Sequence, residues 1–268
     1  MSLLREVVEL YKASLKPRDN FWTEVMSRPI AALLLFFLHR TRITPNQVTF
    51  LSLLVAAGSA ATLVLWRTWP GLLVAAIVLQ LSYLLDCVDG QLARLRGITS
   101  PLGHQLDFLM DELKAFFMLA AVSTRLFLIH GSVELLLLGC WGLVMVASGI
   151  SITTFVRRQE YLAVFPAHGA GGSPATGEGK RSLPHLALSC VERFARFLIH
   201  YPSYFFYIAV FDRLELFFYL YIGVHTAYLG RAFSGIVLRL AHPGYVPRPF
   251  VLPEAARVAE EPGRFERA

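Results

Sequence analysis

Apolar residues fill most of this 268-residue chain in stretches too long for strands, broken at intervals by proline, glycine and charge. Residues 47–66 and 72–95 are the first two stretches. Trp66, Thr68, Trp69, Pro70 and Gly71 lie between them, a turn whose tryptophans suit a membrane interface. Residues 97–101 make the next break, where Ser100 is placed to cap a new helix and Pro101 to occupy its first position. A third stretch runs on to about Ile129, and His130, Gly131 and Ser132 turn the chain. A fourth covers 133–156 and closes on Arg157 and Arg158. Two more, at about 194–211 and 214–238, meet at Asp212 and Arg213; Glu192, Arg193 and Arg196 crowd the start of the earlier one. About 20 helical residues cross a bilayer. The pattern therefore predicts an all-α, polytopic membrane fold with six transmembrane helices.

The flanking regions read differently. Residues 1–28 mix charge with Val7, Leu10, Phe21 and Trp22, as an amphipathic segment lying on anionic lipid does. Residues 29–38 are apolar but too short to span. Thr44-Pro45-Asn46 then restarts the chain, since a proline disfavours helix in the residue before it. This divides the protein into an N-terminal juxtamembrane segment (1–45), a six-helix catalytic domain (46–240) and a proline- and charge-rich tail (241–268). Nine glycines, prolines and serines in 167–184 mark a flexible loop inside the domain. No cleavable leader is expected, because the first apolar run begins near Pro29 and follows several charges.

Composition supports the membrane reading. The chain is 55% hydrophobic and only 16% charged, with a mean hydropathy of +0.53, against about a quarter charged in soluble domains. A net charge of +6 and a pI near 9.4 raise the question of nucleic acid. The placement of the charge answers it: Lys and Arg gather at 5–42, around 157–193 and in the tail, as a positive-inside bias does. Six spans put both termini on one side, and the opposite loops hold little beyond Arg67 and Arg213. Both termini are therefore expected in the cytosol. Cys87, Cys140 and Cys190 match no metal or redox spacing and read as free thiols.

The chemistry concentrates between Asp86 and Asp111. Asp86 and Asp89 are three apart on one helix face, continued by Gly90 and Ala93, with Arg94 a turn further on. After the break, Gly103, Asp107 and Asp111 fall four apart on a second helix. Four ionised carboxylates at a bilayer edge repel one another. Protonation is one relief, and bound divalent cations are the other. Gly90 and Gly103 leave room for a close approach. His104, Cys87, Glu112 and Lys114 read as cavity-edge, packing or helix-contact residues. Arg125, deep in a span near the far interface, is expected to snorkel.

Asp86-Cys87-Val88-Asp89-Gly90-Gln91-Leu92-Ala93-Arg94, with Gly103, Asp107 and Asp111, resembles the CDP-alcohol phosphotransferase signature at every fixed position. Thr44-Pro45-Asn46-Gln47-Val48-Thr49 also looks like that family's lead into its first span. The resemblance implies a six-helix enzyme, commonly a homodimer, with a polar cavity open to the cytosol. By position, Asp86, Asp89, Asp107 and Asp111 would bind two Mg2+ or Mn2+ ions, and Asp111 would act as general base. Gly90, Ala93, Arg94, Ser100 and Gly103 would meet the CDP moiety, together with Asn46, Gln47 and Thr49. Arg157 and Arg158 stand where some relatives hold an acceptor's phosphate, although here the pattern is Arg157-Arg158-Gln159-Glu160.

The expected reaction transfers a substituted phosphate from a CDP-linked alcohol to a hydroxyl, releasing CMP, in phospholipid biosynthesis. In the favoured arrangement CDP-diacylglycerol donates to a small polar alcohol such as inositol phosphate, glycerol phosphate or serine. In the alternative, a soluble CDP-choline, CDP-ethanolamine or CDP-inositol donates to a lipid or polyol. A cation transporter built on intramembrane carboxylates is the rival of another class. It would place its acids near the membrane midplane rather than at helix ends.

Overall fold

The computed structural model describes residues 7–11, 27–158, 161–162, 198 and 200–241. The glycine-rich stretch 167–184, the tail from 242, most of the N-terminal segment and most of 194–199 lie outside the described residues. Within them the chain is helical: α1 (Arg28–Leu38), α2 (Pro45–Leu65), α3 (Trp69–Leu95), α4 (Pro101–His130), α5 (Val133–Val156), α6 (Pro202–Val210) and α7 (Leu214–Leu240).

The helix starts follow the local chemistry of the sequence. Thr44 caps α2 in a reciprocal box: its hydroxyl accepts from the Gln47 amide (3.3 Å), and the Gln47 side chain accepts from the Thr44 amide (2.9 Å). Ser100 caps α4 by accepting from the Gly103 amide at 3.0 Å, with Pro101 in the first turn. Gly131 ends α4 with φ 70°, a conformation open to glycine without strain.

α2 to α5 are each long and apolar enough to cross a membrane, with ends within a few residues of the expected ones. α7 has the length, at 27 residues, but its tyrosines, His225, Glu215 and two arginines leave it less apolar. Of the expected fifth span the described part is α6, nine residues long. Leu54, Leu65, Leu137, Trp141 and Val144 stand exposed, as they do on helix faces turned to lipid.

α2 is the shared wall of the fold. Both α3 and α4 pack on it far more than on each other, and α5 and α7 close the bundle behind α4. The α2–α3 contact runs on small residues. Ala56, Ser59, Ala75, Ala76 and Ser82 are almost wholly buried. Ser59 donates to the Ala75 carbonyl and Ser82 to the Ser52 carbonyl, both at 2.7 Å. Small side chains let two backbones approach where lipid gives no hydrophobic drive between helices. A core of Leu63, Leu79, Met118, Leu126, Phe205, Phe217 and Phe218 fills the rest.

Two arginines fix the ends of α2. Arg125 does not snorkel. It is 2% exposed, and its guanidinium donates to the carbonyls of Leu63, Trp66, Arg67 and Thr68 at 2.8–2.9 Å. Leu63 and Trp66 offer carbonyls at the C-terminal end of α2, and Arg67 and Thr68 those of the turn that follows, so the cation finds hydrogen bonds and the favourable end of the helix dipole together. At the other end Arg96 donates to Thr41 at 2.8 Å and also to the Ile43 carbonyl, tying the α1–α2 connection to the end of α3. Replacing Arg125 by Met removes all four donors and is expected to cost on the order of 3 kcal/mol. Thermal unfolding in detergent reads this as a lowered Tm, with Arg125→Lys recovering only part of the loss. An unchanged Tm for Arg125→Met contradicts the role.

Candidate active site

The carboxylates sit where two helices end side by side. At 1.5 Å per residue, Asp86 lies about 26 Å along α3 from Trp69, and Asp107 about 9 Å into α4 from Pro101. All four aspartates thus fall at one end of the bundle. One oxygen each from Asp86, Asp89 and Asp107 lies within 4.8 Å of the others. Opposite ligands of an octahedral Mg2+ stand about 4.2 Å apart, so three converging oxygen ligands at this span fit one hard cation.

Asp111 is not one of those three. Its carboxylate accepts from Lys114 at 3.0 Å and its side chain is 53% exposed. Lys114, only 6% exposed at its side chain, also bridges to Asp86 on α3. One ammonium therefore joins the two carboxylate-bearing helices, making an intrahelical and an interhelical contact at once. Asp89 is buried and accepts from the Thr49 hydroxyl on α2, so the shared wall also orients a carboxylate.

Cavities open on both sides of this cluster. The first, of about 470 Å³, has Asn46, Thr49, Asp89, Gly90, Ala93, Arg94, Ser100, Gly103, His104 and Asp107 among its lining residues. Seven of the eight residues expected at a CDP moiety line it. Gln47 does not: its side chain closes the cap on Thr44. The two glycines earn their place by space. A Cβ on Gly90 would stand 3.2 Å from the Arg94 guanidinium, and one on Gly103 would stand 3.1 Å from the Ser100 hydroxyl.

The second cavity, of about 400 Å³, lies on the other side and is lined by Asp86, Asp111, Glu112, Lys114, Tyr83, His200, Tyr201, Tyr221 and His225. No sequence motif brings these tyrosines or histidines to the site: Tyr83 lies on α3 outside the aspartate pattern, and His200, Tyr201, Tyr221 and His225, before α6 and on α7, are remote from it in sequence. Arg157 and Arg158 are exposed and line neither cavity. The Arg157 guanidinium lies over the Phe108 ring at 5.2 Å. Cys87 packs against the cluster of Ala31, Leu35 and Leu92, as expected of a packing residue.

The sequence profile of CDP-alcohol phosphatidyltransferases matches residues 42–226. The chain is also 41% identical, over 71 residues, to a protein of Thermococcus kodakarensis named "Bifunctional IPC transferase and DIPP synthase". That stretch is 26% of this chain and spans only 15% of the relative's length.

Asp89→Asn and Asp107→Asn are each expected to weaken Mn2+ binding by roughly a hundredfold. Even two unit charges about 4 Å apart attract by about 4 kcal/mol at an effective dielectric near 20, and the ion's lost hydration offsets part of this. Calorimetric titration of the purified protein measures this, and undiminished affinity in both variants contradicts a shared three-carboxylate site.

Proposed function

This chain belongs to the CDP-alcohol phosphatidyltransferase family, and from that premise we propose that it transfers a phosphatidyl group from CDP-diacylglycerol to a small polar alcohol, releasing CMP, in phospholipid synthesis. The observation that carries the reading is the convergence of Asp86, Asp89 and Asp107 between two cavities. The first cavity takes the CDP group. Gly90 and Gly103 leave its walls open, and Arg94, a cation on the same wall, suits the diphosphate.

The carboxylates would hold Mg2+ or Mn2+, and the bound ion would supply positive charge that offsets the diphosphate and the departing CMP. Asp86, Asp89 and Asp107 would hold one such ion, and Asp111 would help to hold a second. Asp111 takes the proton of the acceptor hydroxyl. The hydroxyl oxygen bonds to the phosphorus distal to cytidine as the bond from that phosphorus to the bridging oxygen breaks, the electron pair leaving with CMP. Lys114 holds Asp111 in place and Thr49 holds Asp89, so positioning supplies a large share of the acceleration.

In this reading the domain crosses the membrane six times as part of a homodimer, with the site and both termini in the cytosol. The clustering of Lys and Arg supports that orientation.

Purified protein given CDP-diacylglycerol, a panel of alcohols and Mn2+ is expected to release CMP, and to stop when the metal is chelated. Asp111→Asn is expected to abolish turnover while nucleotide binding stays within about threefold of the parent. Near-normal turnover in that variant removes the base assignment. Metal binding with no CMP from any donor and acceptor points instead to ion passage.

A further inference from the structure

Lys114 stands in an unusual place for a lysine. At 1.5 Å per residue it lies about 20 Å along α4 from Pro101, a turn further in than Asp111, and its side chain is only 6% exposed. α4 is long and apolar enough to cross a membrane, and an ammonium inside such a helix bundle needs partners. Among the described residues it has two, Asp86 on α3 and Asp111 on α4, the latter at 3.0 Å. The pairing follows from the helices themselves. Lys114 comes three residues after Asp111, on the same face, and α3 brings Asp86 within reach of the same ammonium.

The same two carboxylates are the ones a second metal ion would need. Paired divalent ions at phosphoryl-transfer sites stand about 3.5–4 Å apart, so a carboxylate of the first ion also lies beside the second. Asp86 belongs to the three whose oxygens converge, and Asp111 does not. A second ion would therefore settle between Asp86 and Asp111, and the ammonium already lies there. An ion coordinated by both carboxylates at about 2.1 Å comes close to Nζ, and a dication is strongly repelled by an ammonium at such range. The first position keeps three carboxylates. The second has its own carboxylate, Asp111, already bound to a cation.

A diphosphate changes that balance. It brings negative charge, which offsets the crowding of cations, and oxygens that complete a coordination shell. The first cavity presents it to Asp89 and Asp107, while Lys114 lines the second cavity. Nucleotide and ammonium thus meet the cluster from different sides. The second cavity also gives the ammonium open space to turn into as an ion takes its place.

We infer that Lys114 stands in for the second divalent ion until the donor binds: the free protein takes one Mg2+ or Mn2+ at Asp86, Asp89 and Asp107, and admits the second only together with a diphosphate. The inference rests on the metal-dependent transfer proposed above and gives its assembly an order.

The test uses the full-length protein in detergent with Mn2+, read by electron paramagnetic resonance. Two Mn2+ ions on shared carboxylates give a magnetically coupled spectrum, and a lone ion does not. Coupling, unlike a count of bound metal, is not mimicked by Mn2+ that a diphosphate binds by itself. The parent is expected to show a lone ion without nucleotide, and a coupled pair once CDP-diacylglycerol is added without acceptor. Lys114→Met removes the ammonium and keeps the bulk of its stem. It is expected to show the coupled pair without nucleotide, the second ion binding about a hundredfold more tightly than in the parent. Lys114→Arg keeps the charge and is expected to behave as the parent does. A coupled pair in the nucleotide-free parent overturns the inference, leaves the transfer reaction standing and depends on no variant. A lone ion in nucleotide-free Lys114→Met, a coupled pair in nucleotide-free Lys114→Arg, or a lone ion in the parent with CDP-diacylglycerol overturns it as well. No Mn2+ at the cluster in any state overturns the metal-dependent reaction itself, and the order of assembly with it.

Discussion

Carboxylates gathered at the ends of apolar helices repel one another, and much of the surrounding structure answers that repulsion. Asp86, Asp89 and Asp107 meet within 4.8 Å, close enough that an isolated cluster would push its helices apart. Lys114 draws α3 and α4 together from one side through Asp86 and Asp111. Thr49 satisfies Asp89 from the α2 side. What remains uncompensated is an oxygen-only pocket, and hard divalent cations are suited to fill it.

That arrangement depends on α2 staying where it is. α3 and α4 carry the chemistry but pack mainly on α2, so its position sets the gap between them. The small-residue seam with α3 permits the close approach, and a cation secures each end: Arg96 at the connection from α1, Arg125 at the terminal carbonyls. These arginines lie outside both cavities, yet a shift at either end would move Thr49 and the two carboxylate-bearing helices relative to one another. A misplacement near 1 Å can cost a hundredfold in rate.

Local rules made much of this legible in the sequence. Ser100 with Pro101 marked the start of α4, and the three- and four-residue spacing of the aspartates put them on common faces, because capping and helical periodicity act over one turn. The same spacing puts Lys114 one turn after Asp111. It could not show that the ammonium would also reach Asp86, or that only Asp86, Asp89 and Asp107 would converge, since both depend on how α3 and α4 face each other across the gap. Arg125 read as an interfacial cation because its four partners come from the end of another helix, some 60 residues away in the chain. Tyr201, Tyr221 and His225 were invisible for a related reason. At the start of α6 and on α7 they look like any aromatic belt, and only the packing of α6 on α3 and of α7 on α5 and α4 brings them to the cavity that Asp111 lines.

The central claim is that Asp86, Asp89 and Asp107 jointly bind a divalent cation between the two cavities. Anomalous scattering from crystals of the protein grown with Mn2+ tests it most directly. The account predicts a strong peak in contact with all three carboxylates. A peak elsewhere in the molecule, or none at this cluster at saturating Mn2+, contradicts it.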